Sequence, residues 1–329
     1  VIGSEAIAEQ AAEAFRLGPV LASPAAVDEA WSNQVFRVLT RSGRYAVKVL
    51  TTTSREALST GAAIEAAAAA TGTIPMPTPV AAADGTFFAE IETDHGPRLA
   101  RCHHWVDGTP CSAAPPSPAI AREVGRSLGI LHALRLDGGD SSRLPPVELD
   151  RWHRAAADAS RGDLNWARQV SDLTPLVEEV ADQVERLRQA RLLLRLSHDD
   201  LDPKNAVVLP DGRVAITDWD YAGPVLPDVE LVVAATSFAG GDDCADVDLV
   251  RHFVTAYRDA GGDATPVDPD RTVVEAGKID WMLRNIEGAL HPVPGDNAAL
   301  RHQTAQELLA SFADSIVWLR TWATTIRDL

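Results

Sequence analysis

No stretch of this 329-residue chain approaches the roughly 18 consecutive apolar residues that a membrane-spanning helix requires. The first residues, Val1 to Gln10, lack the basic start and apolar centre of a secretory leader. These absences lead to the expectation of a cytoplasmic protein with no membrane partner. Cysteine is scarce. Cys102, Cys111 and Cys244 are an odd number of scattered residues that form neither a disulfide framework nor a metal-ligand spacing. Positive charge is also short, with 30 Lys and Arg against 47 Asp and Glu and a formal net charge of -17. That balance argues against a nucleic-acid partner, which needs clustered cations. It fits plain solubility, or a negative field that attracts a cationic substrate. Missing too is any Gly-x-Gly-x-x-Gly turn, which removes a Rossmann dinucleotide-binding domain from consideration.

What is present is an ordinary globular balance, 46% hydrophobic and 23% charged, with enough length for two lobes. Val35 to Leu39 and Tyr45 to Leu50 read as strands joined by the turn Arg41-Ser42-Gly43-Arg44. Ser54 is placed to cap a helix that runs to about Ala70 and stops at Gly72 and Pro75. Short strands are expected around Val80, from Phe87 to Glu92, and from Leu99 to Trp105. Beyond Gly108 the pattern turns helical. Leu176, Val180, Val184 and Leu187 share one helix face, as do Leu308, Phe312, Ile316 and Leu319. Pro-rich Ala113 to Pro118 reads as a connector into a helix holding Leu128, Leu131 and His132.

The most informative segment runs from Leu196 to Val208 and contains His198, Asp200, Leu201, Pro203 and Asn205. A Pro-Asp-Gly turn then leads to Val214-Ala215-Ile216-Thr217-Asp218-Trp219-Asp220. Apolar strands thus bracket a polar loop, and a second strand delivers an Asp-x-Asp pair. Phosphoryl transfer requires such parts: a carboxylate to accept or orient a hydroxyl, and hard oxygen ligands to hold magnesium against phosphates. The spacing assigns Asp200 as base, Asn205 and Asp218 as metal ligands, and Asp220 as a further metal contact. Each fragment alone is equally readable as turn formers or a strand end. Their order and spacing together favour catalysis. His198 reads as a brace for the loop.

The loop resembles that of the aminoglycoside phosphotransferase and choline kinase family, His-x-Asp-Leu-x-Pro-x-Asn, at His198, Asp200, Leu201, Pro203 and Asn205. The family's Ile-Asp-Trp element matches only in context, because Thr217 separates Ile216 from Asp218. The resemblance implies an α+β, two-lobed, protein-kinase-like fold. Residues 1–104 would form a nucleotide-binding lobe with an antiparallel sheet and a helix, 105–108 a hinge, and 109–329 a larger, mainly helical lobe. It implies a small-molecule O-phosphotransferase using magnesium with ATP or GTP. Lys48 would lie near the α- and β-phosphates, held by Glu65, with Glu56 as the next choice. Ser32, in Trp31-Ser32-Asn33-Gln34, takes the phosphate-loop position, and His104, Trp105 and Val106 the hinge that meets the base. The acceptor would meet the helical region, where Asp242, Asp243, Asp246, Trp281 and Asn285 are candidates. The same residues also read as a solvated acidic loop and a core helix. An aminoglycoside or other antibiotic is the first expected acceptor, with a metabolic kinase of choline, homoserine, sugar or nucleoside type as the alternative. A nucleotide-binding pseudokinase is the non-enzyme reading, which the intact set Lys48, Asp200, Asn205 and Asp218 opposes. The absence of Asp-Phe-Gly and Ala-Pro-Glu segments opposes a protein kinase.

Overall fold

A computed structural model of the chain describes residues 3–27, 33–50, 53–94, 96–162, 164–241, 245–266, 273–292 and 297–329. It opens with α1 (Ser4–Ala14), β1 (Ala25–Ala26), β2 (Gln34–Thr40), β3 (Gly43–Val49), α2 (Arg55–Ala70), β4 (Ala89–Thr93) and β5 (Gly96–His104). Next come β6 (Thr109–Pro110), α3 (Pro118–Ala133), β7 (Asp137–Asp140), α4 (Leu149–Arg161) and α5 (Ala167–Ala190). β8 (Leu193–Ser197), β9 (Ala206–Val208), β10 (Val214–Ile216) and β11 (Gly223–Val225) follow, then α6 (Pro227–Ser237), α7 (Val247–Asp259), α8 (Val273–Leu290) and α9 (Ala298–Asp328). The fold is α+β, an N-terminal antiparallel sheet with a helix followed by a largely helical remainder.

Packing divides the chain into two compact units. The first joins Val1–Leu136, Leu196–Gly223 and Thr255–Gly262, and the second Asp137–Arg195, Pro224–Val254 and Asp263–Leu329. This division runs along different lines from the lobes expected on either side of residues 105–108. The reason is pairing at long sequence range. β9 lies between β10 and β6 in one small sheet, and the Ile216 N–H donates to the Pro75 carbonyl at 2.9 Å. The loop strands therefore pack with the N-terminal part of the chain.

In the first unit the five-stranded sheet has the order β1-β2-β3-β5-β4. A two-residue turn closes β2 on β3 with Thr40 opposite Gly43. Alternate residues point to opposite faces, so Val38, Val47, Val49 and Cys102 face the core with Ile7 and Ala11 of α1 and Phe15 just beyond it. Each fully buried aliphatic chain contributes about 1.5–3 kcal/mol. α2 starts as its sequence dictates, with the Ser54 hydroxyl accepting from the Ala57 N–H at 3.1 Å. Ser117 caps α3 in the same way, and Pro118 occupies its first turn. The second unit buries Trp152, Val180, Val184, Phe312 and Ile316 of α4, α5 and α9 in one cluster with Trp166, which precedes α5. Those faces carry the period that the apolar stripes announced.

Candidate active site

The loop between β8 and β9 is built from short-range bonds. Asp202 caps the turn Pro203–Asn205 by accepting the Lys204 N–H at 3.0 Å. Asn205 donates its side-chain amide to the Asp200 carbonyl and to Asp200 Oδ2, both at 2.8 Å. Lys204 donates Nζ to Asp200 Oδ1 at 2.9 Å. The Asp200 carboxylate is thereby fixed in orientation by two donors within its own loop. Asn205 is buried, and with its nitrogen committed its Oδ1 is left as an acceptor.

β10 delivers the second half. Its exit, Thr217, donates its N–H to the Asn205 carbonyl and accepts His198 Nε2 at 2.9 Å. The residue that interrupts the Ile-Asp-Trp pattern thus ties the two segments together. His198 is fully buried, with its ring 4.8 Å from that of Trp219. It braces the loop as its sequence context indicates. Asp218 then adopts a left-handed backbone at φ 62°, and Asp199 does the same at φ 63°. Arg16, Arg135 and Arg191, also at positive φ, each directly follow or closely follow a helix end, where the left-handed turn is ordinary. Asp199 and Asp218 end no helix. Such strain at two loop residues persists where the surroundings over-determine it, typically at functional sites.

Lys48 reaches this segment from β3. Its Nζ lies 2.6 Å from Asp218 Oδ1 and 2.8 Å from Asp220 Oδ2. Burial opposes its charge, yet Asp220 and Asp218 outweigh burial and raise its pKa. Burial likewise disfavours ionised Asp220, but Lys48 and Arg101 prevail and hold its carboxyl well below the usual carboxylate range. The expected Lys48–Glu65 pair is not formed. Glu65 is buried and is bonded to Arg101 and, at 2.9 Å, to His103 Nε2. The correction has a geometric cause: Lys48 on β3 stands directly opposite Arg101 on β5, so two cations share one face and divide the acids between them. Glu56 begins α2 and is exposed.

A cavity of about 410 Å³ in the first unit is lined by Lys48, Glu65, Asp200, Lys204, Asn205, Asp218 and Asp220. His103, His104, Trp105 and Val106 line it as well. The volume falls within the roughly 300–1,000 Å³ of small-molecule sites. The Trp105 N–H is already spent on the Arg44 carbonyl at 2.9 Å, and its indole donates to Asp107 at 3.2 Å. Among the described residues the Val106 backbone has no hydrogen-bond partner.

The sequence profile of the phosphotransferase enzyme family matches residues 25–272. The chain belongs to that family. Its members are small-molecule kinases, and the resemblance carried by the catalytic loop holds. Among curated proteins none matches the chain in sequence. Solved structures do. Spectinomycin phosphotransferase in complex with ADP and spectinomycin has a TM-score of 0.62 at 12% identity, covering 98% of this chain and 99% of that one. An amicoumacin kinase in complex with AMP-PNP, Ca2+ and Ami has 0.58 at 15%, covering 94% and 92%. An aminoglycoside phosphotransferase from Alicyclobacillus acidocaldarius has 0.56 at 13%, covering 96% of each. The protein-kinase-like fold of the family is therefore the fold of this phosphotransferase.

The remaining candidates fall elsewhere. Ser32, Asp242 and Asp243 lie outside the described residues. Asp246, in the second unit, accepts the Asp248 N–H at 2.7 Å at the start of α7. Arg301 lies over the Trp281 ring at 5.7 Å. Asn285 is buried, donates to the Trp281 carbonyl at 2.8 Å and accepts from Arg301 at 3.3 Å. Both amide atoms of Asn285 are thus engaged inside the α8–α9 pair. Two residues of this charged cluster escaped the sequence reading: Lys204, which lines the cavity, and Arg101, which is buried behind the lining residues Glu65 and Asp220. The signal for Lys204 was rarity: the chain has only Lys48, Lys204 and Lys278, and two of the three line this cavity. Arg101 left no such mark, since arginine is the chain's ordinary cation. Among the described residues no helix is long and apolar enough to cross a membrane.

Proposed function

We propose that this phosphotransferase moves the terminal phosphoryl group of magnesium-bound ATP or GTP to a hydroxyl of a small molecule. The first acceptor class is an aminoglycoside or another antibiotic carrying an amine. The supporting observation is the convergence of Lys48, Asp200, Lys204, Asn205, Asp218 and Asp220 on one cavity. The donors suit a hard cation, being oxygens of Asp218, Asp220 and Asn205. The Lys48 ammonium already marks a cation position between the two carboxylates. When bound, magnesium would offset the negative charge of the phosphates.

Asp200, held by Asn205 and Lys204, orients the acceptor hydroxyl and takes its proton as the oxygen bonds to the terminal phosphorus. The bond from that phosphorus to the bridging oxygen breaks, and the nucleoside diphosphate leaves. Lys48 and Lys204 supply compact positive charge along the phosphate chain. Val106, with its backbone groups unspent, is the proposed hinge contact for the base, flanked by His104 and Trp105. Asp242, Asp243, Asp246 and Trp281 remain the proposed acceptor contacts.

The test is nucleoside diphosphate release with ATP and GTP in parallel, against aminoglycosides, other antibiotics, choline, amino alcohols, nucleosides and sugars. Turnover with an aminated antibiotic is expected. Turnover confined to choline or sugars would move the protein into metabolism. Tight nucleotide binding without transfer to any acceptor would make it a binding module.

A further inference from the structure

The pairing around Lys48 leaves Arg101 with a position that the catalytic set does not use. Arg101 is 1% exposed, a placement that is strongly unfavourable for an unpaired ion. Its two terminal nitrogens go to different acids: one to Glu65 on α2, the other to Asp220 Oδ1 at 2.7 Å. Asp220 Oδ2 then meets Lys48 at 2.8 Å. His103, two residues along β5 and hence on the same face, holds the other Glu65 oxygen. The side chains form one file, His103, Glu65, Arg101, Asp220, Lys48, Asp218, and among the described residues the ion pairs that link Lys48 to Glu65 of α2 run through Asp220 and Arg101.

We infer that Arg101 is a positioning residue for the metal-side carboxylate. It turns Asp220 so that Oδ2 faces Lys48 while Glu65 and His103 hold the guanidinium in place. The planar fork of arginine is what permits two acids to be held at once, and a lysine ammonium lacks that geometry. Glu65 accordingly acts on the phosphate site through Arg101 and not through Lys48. This inference rests on the reading of Asp218 and Asp220 as metal-side groups.

Manganese binding to the full chain, followed by electron paramagnetic resonance with ADP present, tests it. Wild type, Arg101→Lys, Arg101→Met, Glu65→Gln and the double variant Arg101→Met/Glu65→Gln are compared. Circular dichroism checks that each is folded. Groups that orient a metal ligand change metal affinity by about 10–100-fold. A loss of about tenfold or more is expected in both Arg101 variants, with a raised KM for magnesium and an acceptor KM within about twofold of wild type. Adding Glu65→Gln to Arg101→Met should change metal binding less than about twofold, because the relay is already cut. Manganese affinity within about twofold of wild type in folded Arg101→Lys would overturn the inference. So would full additivity of the two substitutions. Should both Arg101 variants unfold, Glu65→Gln decides alone: a several-fold loss of affinity supports the relay and unchanged affinity refutes it. Wild type that binds neither manganese nor ADP would instead defeat the functional reading on which the inference stands.

Discussion

At the scale of single residues, Asp200 carries the sharpest expectation. Asp200→Asn keeps the shape of the side chain but removes the proton acceptor, so turnover should fall by at least about 10²-fold. Fold and nucleotide affinity should stay near wild type, and near-normal turnover in the folded variant would rule out Asp200 as base. Asp218→Ala removes a carboxylate 2.6 Å from the Lys48 ammonium, whereas Asn205→Ala removes a neutral amide that also steadies Asp200. Magnesium titrations should therefore show abolished activity in the first and a weaker, metal-rescuable defect in the second. Unaltered magnesium dependence in Asp218→Ala would sink that assignment. These residues were legible because their spacing is local: His198 to Asn205 lie on one loop and Asp218 follows the short β9–β10 hairpin. The partner of Glu65 was not legible, for the opposite reason. Its partner depends on which cation stands beside it across the sheet, and Arg101 is 36 residues away in the chain.

At the scale of elements, α2 lies close to the Trp219–Tyr221 turn because Gly61 has no side chain. A Cβ there would lie 2.5 Å from the Trp219 carbonyl oxygen. Helix propensity alone favours Ala over Gly by about 1 kcal/mol. A backbone clash of this size outweighs it, at about 1–3 kcal/mol for overpacking. Gly61→Ala should thus lower the melting temperature and raise the KM for magnesium. A higher melting temperature would show that α2 is free to move. In α8 the buried Glu275 makes a different prediction. Burial, opposed by the charges of Lys278 and Arg320, pushes its pKa up to about 7, and its Oε2 has no hydrogen-bond partner among the described residues. Between its unfolded value near 4.5 and about 7 the native state binds more protons than the unfolded one. Stability should then fall as pH rises through that window. Glu275→Gln should stabilise the protein more at pH 8 than at pH 5, by about 1–3 kcal/mol in the difference. Denaturant midpoints at the two pH values check it, and an equal effect at both would show that Glu275 titrates normally.

For the whole molecule, the net charge of -17 creates a field that draws cations and that salt screens beyond about 8–10 Å. An aminated acceptor should show an apparent KM that rises with ionic strength, while a neutral acceptor should show none. Joint neutralisation of Asp242, Asp243 and Asp246 should raise the acceptor KM and spare that of the nucleotide. A salt-independent KM for the preferred acceptor would overturn the cationic assignment and leave phosphoryl transfer untouched. Charge of this kind is a property of composition, so the sequence states its sign and size directly. Where the field acts on an acceptor is a matter of placement, which composition does not carry.

The sequence by itself determined the chemistry: the loop from His198 to Asn205, the strand that brings Asp218 and Asp220, the lysine on a strand, and a family-wide α+β fold. Such features follow from nearest-neighbour spacing, capping and apolar period, all of which act over a few residues. Tertiary structure alone decided which cation meets which acid. Lys48 finds Asp218 across 170 residues, and Arg101 finds Asp220 across 119. Those choices are made by strand register, which sets Lys48 against Arg101, and by the cost of leaving a buried charge unpaired.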